Sequence, residues 1–407
     1  MTGTALAIAL FSSIVLTLVL LILGARRLLL PTGEALVDVN GQRVIEARLG
    51  EKLLDVLGAA GIALPSACGG KGTCGQCRVR IMGGAPAPLP TEVARLSPRD
   101  LALGDRLACQ FTLRQDSAIR IPDEIFGVQH WTCRVRSARC VGTMIREVIA
   151  DLPNDQSIQF RAGSFVQVTA PPYEAKFSEF PIDEGVRDEW SRLDLFRHEV
   201  ASRVAATRAY SLANPPAEDR RIHLLVRLAT PPASAPEGTA PGIVSSYLFQ
   251  LAPGAQLEVS GPYGHFFADQ SEREMVFIGG GAGMAPLRSH VLDQLLRLQS
   301  RRRMSFWYGA RNRRELFYAE EFDRLQRDHD NFRWIPGLSE PRADEDWDGE
   351  QGFIHEILER RYLADHPSPE ECEYYLCGPP LMARATIAML HRLGVASENI
   401  HFDDFGG

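Results

Sequence analysis

The chain has 407 residues, enough for two or three domains that each bury a core, and its 45% hydrophobic and 23% charged content is that of a globular protein. A net charge of −7 with no long basic run gives no reason to expect nucleic acid as a partner.

The first segment departs from this average. No side chain from Met1 to Ala25 is charged, and Thr4 to Leu23 is almost wholly apolar. Such a run, wound as a helix, spans about 30 Å, the thickness of a bilayer's hydrocarbon core. Residues 1–30 therefore read as one transmembrane anchor. The basic pair Arg26 and Arg27 follows the apolar run. A signal peptide would carry its positive charge first and end at a small-residue cleavage site. Positive charge after the helix predicts that the remaining chain faces the cytoplasm. Disulfides are disfavoured there, so the eight cysteines are expected as thiols or ligands.

Residues 33–126 form the first expected soluble domain. Ala35 to Gln42 alternates and turns at Asn40-Gly41, a hairpin signal, and Leu53, Leu54 and Leu57 recur at helical spacing. Residues 128–268 carry short β-like runs at Cys133–Arg139, Ser164–Ala170 and Ile222–Leu228. A charged insertion, Tyr173 to Ala206, interrupts them, with a helical pattern near Trp190–Val204, and Pro231 to Pro241 reads as an exposed loop. In residues 270–407 strands and helices alternate: strands at Met275–Ile278, Met304–Tyr308, Phe332–Pro336 and Tyr374–Cys377, helices at Leu287–Leu298 and Phe317–Leu325. Alternation of this kind implies a parallel sheet flanked by helices.

The strongest chemical signal is Cys68-Gly-Gly-Lys-Gly-Thr-Cys74-Gly-Gln-Cys77, completed by Cys109. Four thiolates can hold a two-iron cluster. Zinc sites come as two short cysteine pairs, whereas here three ligands share a glycine-rich loop and the fourth returns from elsewhere. Gly69, Gly70, Gly72 and Gly75 let that loop wrap a cluster with its N–H groups close to the sulfurs. The Cys-x5-Cys-x2-Cys spacing is one residue longer than the plant type and resembles vertebrate-type ferredoxins and certain fused ferredoxin reductases.

Two segments suit a flavin. Arg208-Ala-Tyr210-Ser211 offers a guanidinium fork for phosphate and an aromatic face with hydroxyls for a ring. Gly242-Ile-Val-Ser245-Ser246 opens a short helix whose first amides and hydroxyls suit a phosphate, with either serine a candidate. Both resemble motifs of the ferredoxin–NADP reductase superfamily. In that resemblance the arginine meets the flavin pyrophosphate, and the tyrosine and serine meet the isoalloxazine. Gly279-Gly280-Gly281-Ala-Gly283 then follows a strand and precedes a helix with Pro286 near its first turn, a context that suits a nucleotide pyrophosphate. Tyr308-Gly309-Ala-Arg311 ends the next strand, where the superfamily binds the adenosine half. Arg311, Arg313 and Arg314 leave a 2′-phosphate possible. Cys377-Gly378-Pro379-Pro380 ends the last strand, and in the superfamily such a cysteine lies beside the nicotinamide. The reacting centre is thus expected to include Cys377, Tyr210, Ser245 and Ser246. In the same resemblance an aromatic near the end of the chain covers the flavin, and Phe405 is the candidate. Cys133, Cys140, Cys372 and the ten histidines show no metal-ligand spacing.

The anchor, the ferredoxin-first order, the insertion before Arg-Ala-Tyr-Ser and the Asp-Asp-Phe-Gly-Gly segment together resemble the F subunits of bacterial sodium-translocating NADH:quinone oxidoreductases. That resemblance implies a multidomain α+β and α/β fold. Its parts are an N-terminal transmembrane helix, a β-grasp [2Fe–2S] ferredoxin domain, an antiparallel six-stranded FAD-binding β-barrel and a parallel α/β NADH-binding domain. It also implies FAD, one [2Fe–2S] cluster and NADH, partner membrane subunits in the bacterial inner membrane, and ubiquinone reached only through those partners. The reductase component of a multicomponent oxygenase has the same three soluble domains but normally lacks the helix. A tethered redox sensor would not need an intact set of cysteines and flavin motifs.

Overall fold

The computed structural model describes residues 10–19, 21, 33–62, 64–66, 68–121, 128–232, 235–236 and 238–403. Residues 10–19 and 21 are helical and exposed. The rest of the expected anchor, including Arg26 and Arg27, lies outside the described residues, as does Phe405. Among the described residues no helix is long and apolar enough to cross a membrane.

The chain divides into two compact units, one of residues up to 64 with 70–126 and the other of 65–69 with 127–407. In the first, β1 (Glu34–Val39) and β2 (Arg43–Arg48) form the expected hairpin. Asn40 and Gly41 both take positive φ, which is why that pair makes the turn. Helix α1 (Leu53–Ala59) buries Leu53, Val56 and Leu57. Strands β3 (Arg78–Met82), β4 (Asp105–Leu107) and β5 (Ser117–Arg120) complete a sheet of order β2-β1-β5-β3-β4, in which only β1 and β5 run parallel.

The second unit holds two lobes. The strands of the flavin lobe are β6 (Gln129–Gly142), β7 (Ile145–Asp151), β8 (Phe165–Ala170), β11 (Ala206–Ser211), β12 (Arg221–Arg227) and β13 (Gln256–Tyr263). They form a six-stranded antiparallel sheet of order β11-β8-β13-β6-β7-β12. A bridge between Leu212 and Leu224 joins the two outer strands of that order, so the sheet curls on itself. The insertion is built differently from expectation. Its helix is α2 (Glu184–Arg192), and Glu199–Ser202 is a strand, β10, paired with β9 (Tyr173–Lys176). Val200 and Ser202 are buried while Glu199 and Ala201 are exposed. That period of two overrides the helical pattern near Trp190–Val204. Phe177, Phe180 and Trp190 seat the insertion on the lobe's core.

The strands of the nucleotide lobe are β14 (Met275–Gly280), β15 (Met304–Ala310), β16 (Phe332–Leu338), β17 (Glu350–Gln351), β18 (Glu373–Cys377) and β19 (Ile400–Asp403). They form a sheet of order β17-β16-β15-β14-β18-β19, parallel in every pair. Both faces are covered: Met275, Phe277 and Tyr375 enter one core, Val276, Ile278 and Tyr374 the other. Burial on both sides explains why these strands read as unbroken apolar runs. The chain winds outward from β14 to β17, then returns to β18 on the opposite side of β14. A crevice opens at such a reversal, outside the carboxyl ends of the strands.

Candidate functional site

The cysteine loop comes first in the chain. Gly69, Gly70, Gly72 and Gly75 all take positive φ, the conformation expected of a loop wrapped around a ligand. Cys68, Cys77 and Cys109 are buried and Cys74 is half-buried. Cys77 is hydrogen-bonded to Cys109 and lies near Cys74. That bond, then burial, pushes the Cys77 thiol far above the usual thiol range. Protein alone gives these converging sulfurs no reason to ionise, whereas iron would take them as thiolates. The Gln110 side-chain amide reaches the Cys109 sulfur at 3.5 Å. The donor set fits a [2Fe–2S] cluster.

In the flavin lobe, Arg208, Tyr210 and Ser211 end β11. Burial pushes the Tyr210 phenol well up, so it stays a neutral donor. Helix α3 (Ile243–Gln250) begins at Gly242. The structure separates its two serines. The Ser245 hydroxyl donates to the Gly242 carbonyl at 3.0 Å and accepts from the Ala229 N–H at 3.2 Å. The Ser246 hydroxyl is fully buried and has no hydrogen-bond partner among the described residues. An orphaned hydroxyl at a helix N-terminus fits a phosphate.

In the nucleotide lobe, β14 runs through Gly279 and Gly280 into a turn, Gly281–Gly283, and then α4 (Met284–Leu292), with Pro286 buried in its first turn. A Cβ on Gly283 would lie 2.0 Å from the carbonyl oxygen of Cys377. Only glycine lets the turn pack against the end of β18, so the two nucleotide motifs share one edge. Gly378 and Gly309 are less constrained: a Cβ on Gly378 would meet the flexible end of Met382 at 2.5 Å, and one on Gly309 the Ile354 side chain at 3.0 Å. The Tyr308 hydroxyl donates to the Gly281 carbonyl at 3.0 Å.

The lobes meet at this edge. The Ser211 hydroxyl donates to Asp403 at 3.1 Å, and the buried Cys377 thiol points at the Asp403 carbonyl oxygen at 3.6 Å. The sequence motifs point to Ser211 and Cys377 but not to Asp403, whose only signal in the sequence is proximity to Phe405. A second seam holds the lobes together. Arg288 binds Glu321 through two hydrogen bonds and donates to the Ala213 carbonyl at 2.7 Å. Glu147 receives Tyr318, Arg139 and His223. Burial opposes its charge, yet those hydrogen bonds from His223, Arg139 and Tyr318 hold its carboxyl well below the usual range.

The arginines after β15 differ in their engagement. Arg314 binds Asp188 at 3.0 Å, and Arg313 donates to the Asp346 carbonyl at 2.7 Å. Arg311 is exposed. Cys372, which shows no metal-ligand spacing in the sequence, has ligand atoms of Glu274 and His366 within 4.8 Å. There the Ser368 N–H donates to His366 Nδ1 at 3.2 Å, which places the ring proton on Nε2, facing Glu274 at 3.4 Å. A metal would need that nitrogen, so the trio is a satisfied polar relay.

A glycine-wrapped thiol set, a curled antiparallel lobe with two phosphate-suited motifs and a parallel lobe with its crevice at the strand reversal together define a reductase of the flavin and iron–sulfur class. Family models agree, matching a 2Fe-2S iron-sulfur cluster binding domain at residues 37–114, an oxidoreductase FAD-binding domain at 195–267 and an oxidoreductase NAD-binding domain at 277–387. The chain belongs to the family of F subunits of the Na(+)-translocating NADH-quinone reductase. It is 50% identical over 402 residues to the F subunit of Methylococcus capsulatus, covering 99% of each chain, and 50% identical over 404 residues to that of Yersinia enterocolitica, again covering 99% of each. Among solved structures it is similar to the cytochrome P450 reductase GcoB of Amycolatopsis, with a TM-score of 0.62, 27% identity, and coverage of 91% of this chain and 98% of that one. A ferredoxin reductase of carbazole 1,9a-dioxygenase shares the fold, with a TM-score of 0.59, 24% identity, and coverage of 92% and 99%.

Proposed function

We propose that this chain is the NADH-oxidising subunit of a sodium-translocating NADH:quinone oxidoreductase and feeds electrons singly to partner membrane subunits, which pass them toward ubiquinone. The observation that carries this reading is the meeting of Ser211, from the flavin motif, with Asp403 and Cys377 at the nucleotide edge. When bound, FAD supplies the chemistry of taking a hydride from NADH and releasing electrons one at a time to a [2Fe–2S] cluster.

The protein's own residues do the rest. Cys68, Cys74, Cys77 and Cys109 hold the cluster. Arg208 and the first amides of α3, with Ser246, take the flavin pyrophosphate, and Tyr210 and Ser211 line the ring. Ser245 shapes the turn instead of binding. Gly279, Gly280, Gly281 and Gly283 give the NADH pyrophosphate a backbone cradle ahead of Pro286. Gly309 and Arg311 border the adenosine half. Buried Cys377 with half-buried Gly378 and exposed Pro379 form the wall along which a nicotinamide is held against the flavin motif. Asp403 fixes the Ser211 hydroxyl. Phe405 follows in sequence as the covering aromatic. The apolar run Thr4 to Leu23 and the basic pair after it tether the subunit to the inner membrane by one helix, with the soluble domains in the cytoplasm.

Anaerobic titration of the full-length protein with NADH tests the reading by optical and paramagnetic spectroscopy. The expected result is bleaching of a flavin together with the signal of a reduced [2Fe–2S] cluster. No reduction by NADH would overturn it. A narrower expectation concerns Asp403→Asn, which leaves the buried shape intact but weakens the anchor for Ser211. Stopped-flow hydride transfer should slow by about tenfold to a hundredfold with little change in NADH affinity, because misorientation affects the transition state more than binding. An unchanged rate would remove Asp403 from the site.

A further inference from the structure

We propose that Glu189, on the helix inserted into the flavin lobe, sets the preference for NADH over NADPH by occupying arginines that would otherwise take a 2′-phosphate. The inference rests on the nucleotide site proposed above and adds the residues that discriminate there.

In an open parallel sheet a dinucleotide crosses the carboxyl ends of the strands. Its pyrophosphate lies on the first glycine turn, and the adenosine ribose lies beyond the end of the neighbouring strand. Here that strand is β15, followed by Arg311 and Asn312. The Glu340 N–H, just past β16, donates to the Arg311 carbonyl at 2.7 Å and holds the two strand ends side by side. A cavity of about 520 Å³ opens at this place. The strand ends supply Arg311, Asn312, Glu340 and Arg342 to its wall, and α2 supplies Glu189 and Arg192.

Three of the four arginines at or beside this wall share one carboxylate, while Arg311 is exposed. Glu189 has a side chain only 10% exposed, yet three guanidinium groups converge on it. Arg342 lies at 2.9 Å, Arg314 at 3.9 Å, and Arg192 donates to both carboxylate oxygens. Asp188 holds Arg314 further, at 3.0 and 3.2 Å. A 2′-phosphate would need the same forked donors and would have to displace Glu189 from them. The neutral ribose hydroxyl of NADH has no such demand. The buried Asn312 Oδ1 also has no hydrogen-bond donor among the described residues. An unpaired acceptor suits a hydroxyl, which can donate to it, and a fully ionised phosphate cannot.

The test uses the full-length holoprotein and its Glu189→Gln and Asp188→Asn/Glu189→Gln variants. Steady-state kinetics with both nucleotides should show the ratio of kcat/KM for NADPH to that for NADH rising about tenfold or more, as expected for freed arginine–phosphate bonds. Calorimetry provides a readout independent of turnover. In the variants 2′,5′-ADP should gain affinity relative to 5′-AMP. Substituting Arg192, Arg314 and Arg342 together by alanine in the same background should abolish the gain. An unchanged ratio, or a gain that survives loss of all three arginines, would overturn the inference. Failure of 5′-AMP to bind the wild-type protein would instead overturn the nucleotide site itself.

Discussion

Replacing Cys77 with alanine should abolish the paramagnetic signal of the reduced protein while leaving flavin reduction by NADH intact. Cys77 sits in the first compact unit, buried at 1% exposure and joined to Cys109. Its loss removes one of the four ligands proposed above, and an iron cluster held by four thiolates would lose that ligand with alanine in its place. The flavin and nucleotide motifs belong to the other unit and have their own core. Hydride transfer, read as the first bleaching step in stopped flow, should therefore stay within about twofold, as for independent sites. Electron delivery to a one-electron acceptor that depends on the cluster should fall to background. The first unit should also melt earlier, because cluster binding is coupled to its folding. A retained signal would show that Cys77 is not a ligand.

The second large effect is expected at Gly283. The methyl of Gly283→Ala would lie 2.0 Å from the Cys377 oxygen and 2.3 Å from its carbon, and both are backbone atoms in the middle of the sheet. Neither can rotate away. Either the glycine turn or the end of β18 must move, at a cost of about 3 kcal/mol in a packed interior. The displacement falls where Cys377 meets Asp403 and Asp403 meets Ser211. A shift of about 1 Å at a reacting edge can cost a hundredfold in rate. Gly283→Ala should thus lower both the melting temperature and the hydride-transfer rate, while the cluster signal after dithionite reduction persists. Normal NADH kinetics in a folded Gly283→Ala protein would remove this turn from the nucleotide site. Gly281 makes a useful contrast. Its neighbourhood is open, with Ile145 3.9 Å away, and only its positive φ resists a side chain.

Local signals determined much of what this protein is. The cysteine spacing and its glycines specify a cluster loop because wrapping a ligand needs positive φ, and the four glycines have it. Asn40-Gly41 fixes the first hairpin for the same reason. The unbroken apolar runs of β14, β15 and β18 announce a parallel sheet because both of its faces are buried. These features are legible because each requirement is met within a few consecutive residues.

What depended on distant partners could only come from tertiary structure. The stretch at Glu199–Ser202 has a helical pattern in sequence, and pairing with Tyr173–Lys176 makes it a strand. Ser245 and Ser246 are indistinguishable in sequence. Ala229, sixteen residues earlier, engages one hydroxyl, and burial orphans the other. Asp403 reaches the flavin motif because β19 pairs with β18 and carries its carboxylate to Ser211, 192 positions away in sequence. Glu189 gains its proposed role only because an insertion in one lobe reaches the strand ends of the other. Sequence patterns record what a segment demands of its own backbone, whereas a contact between segments exists only once the chain has folded.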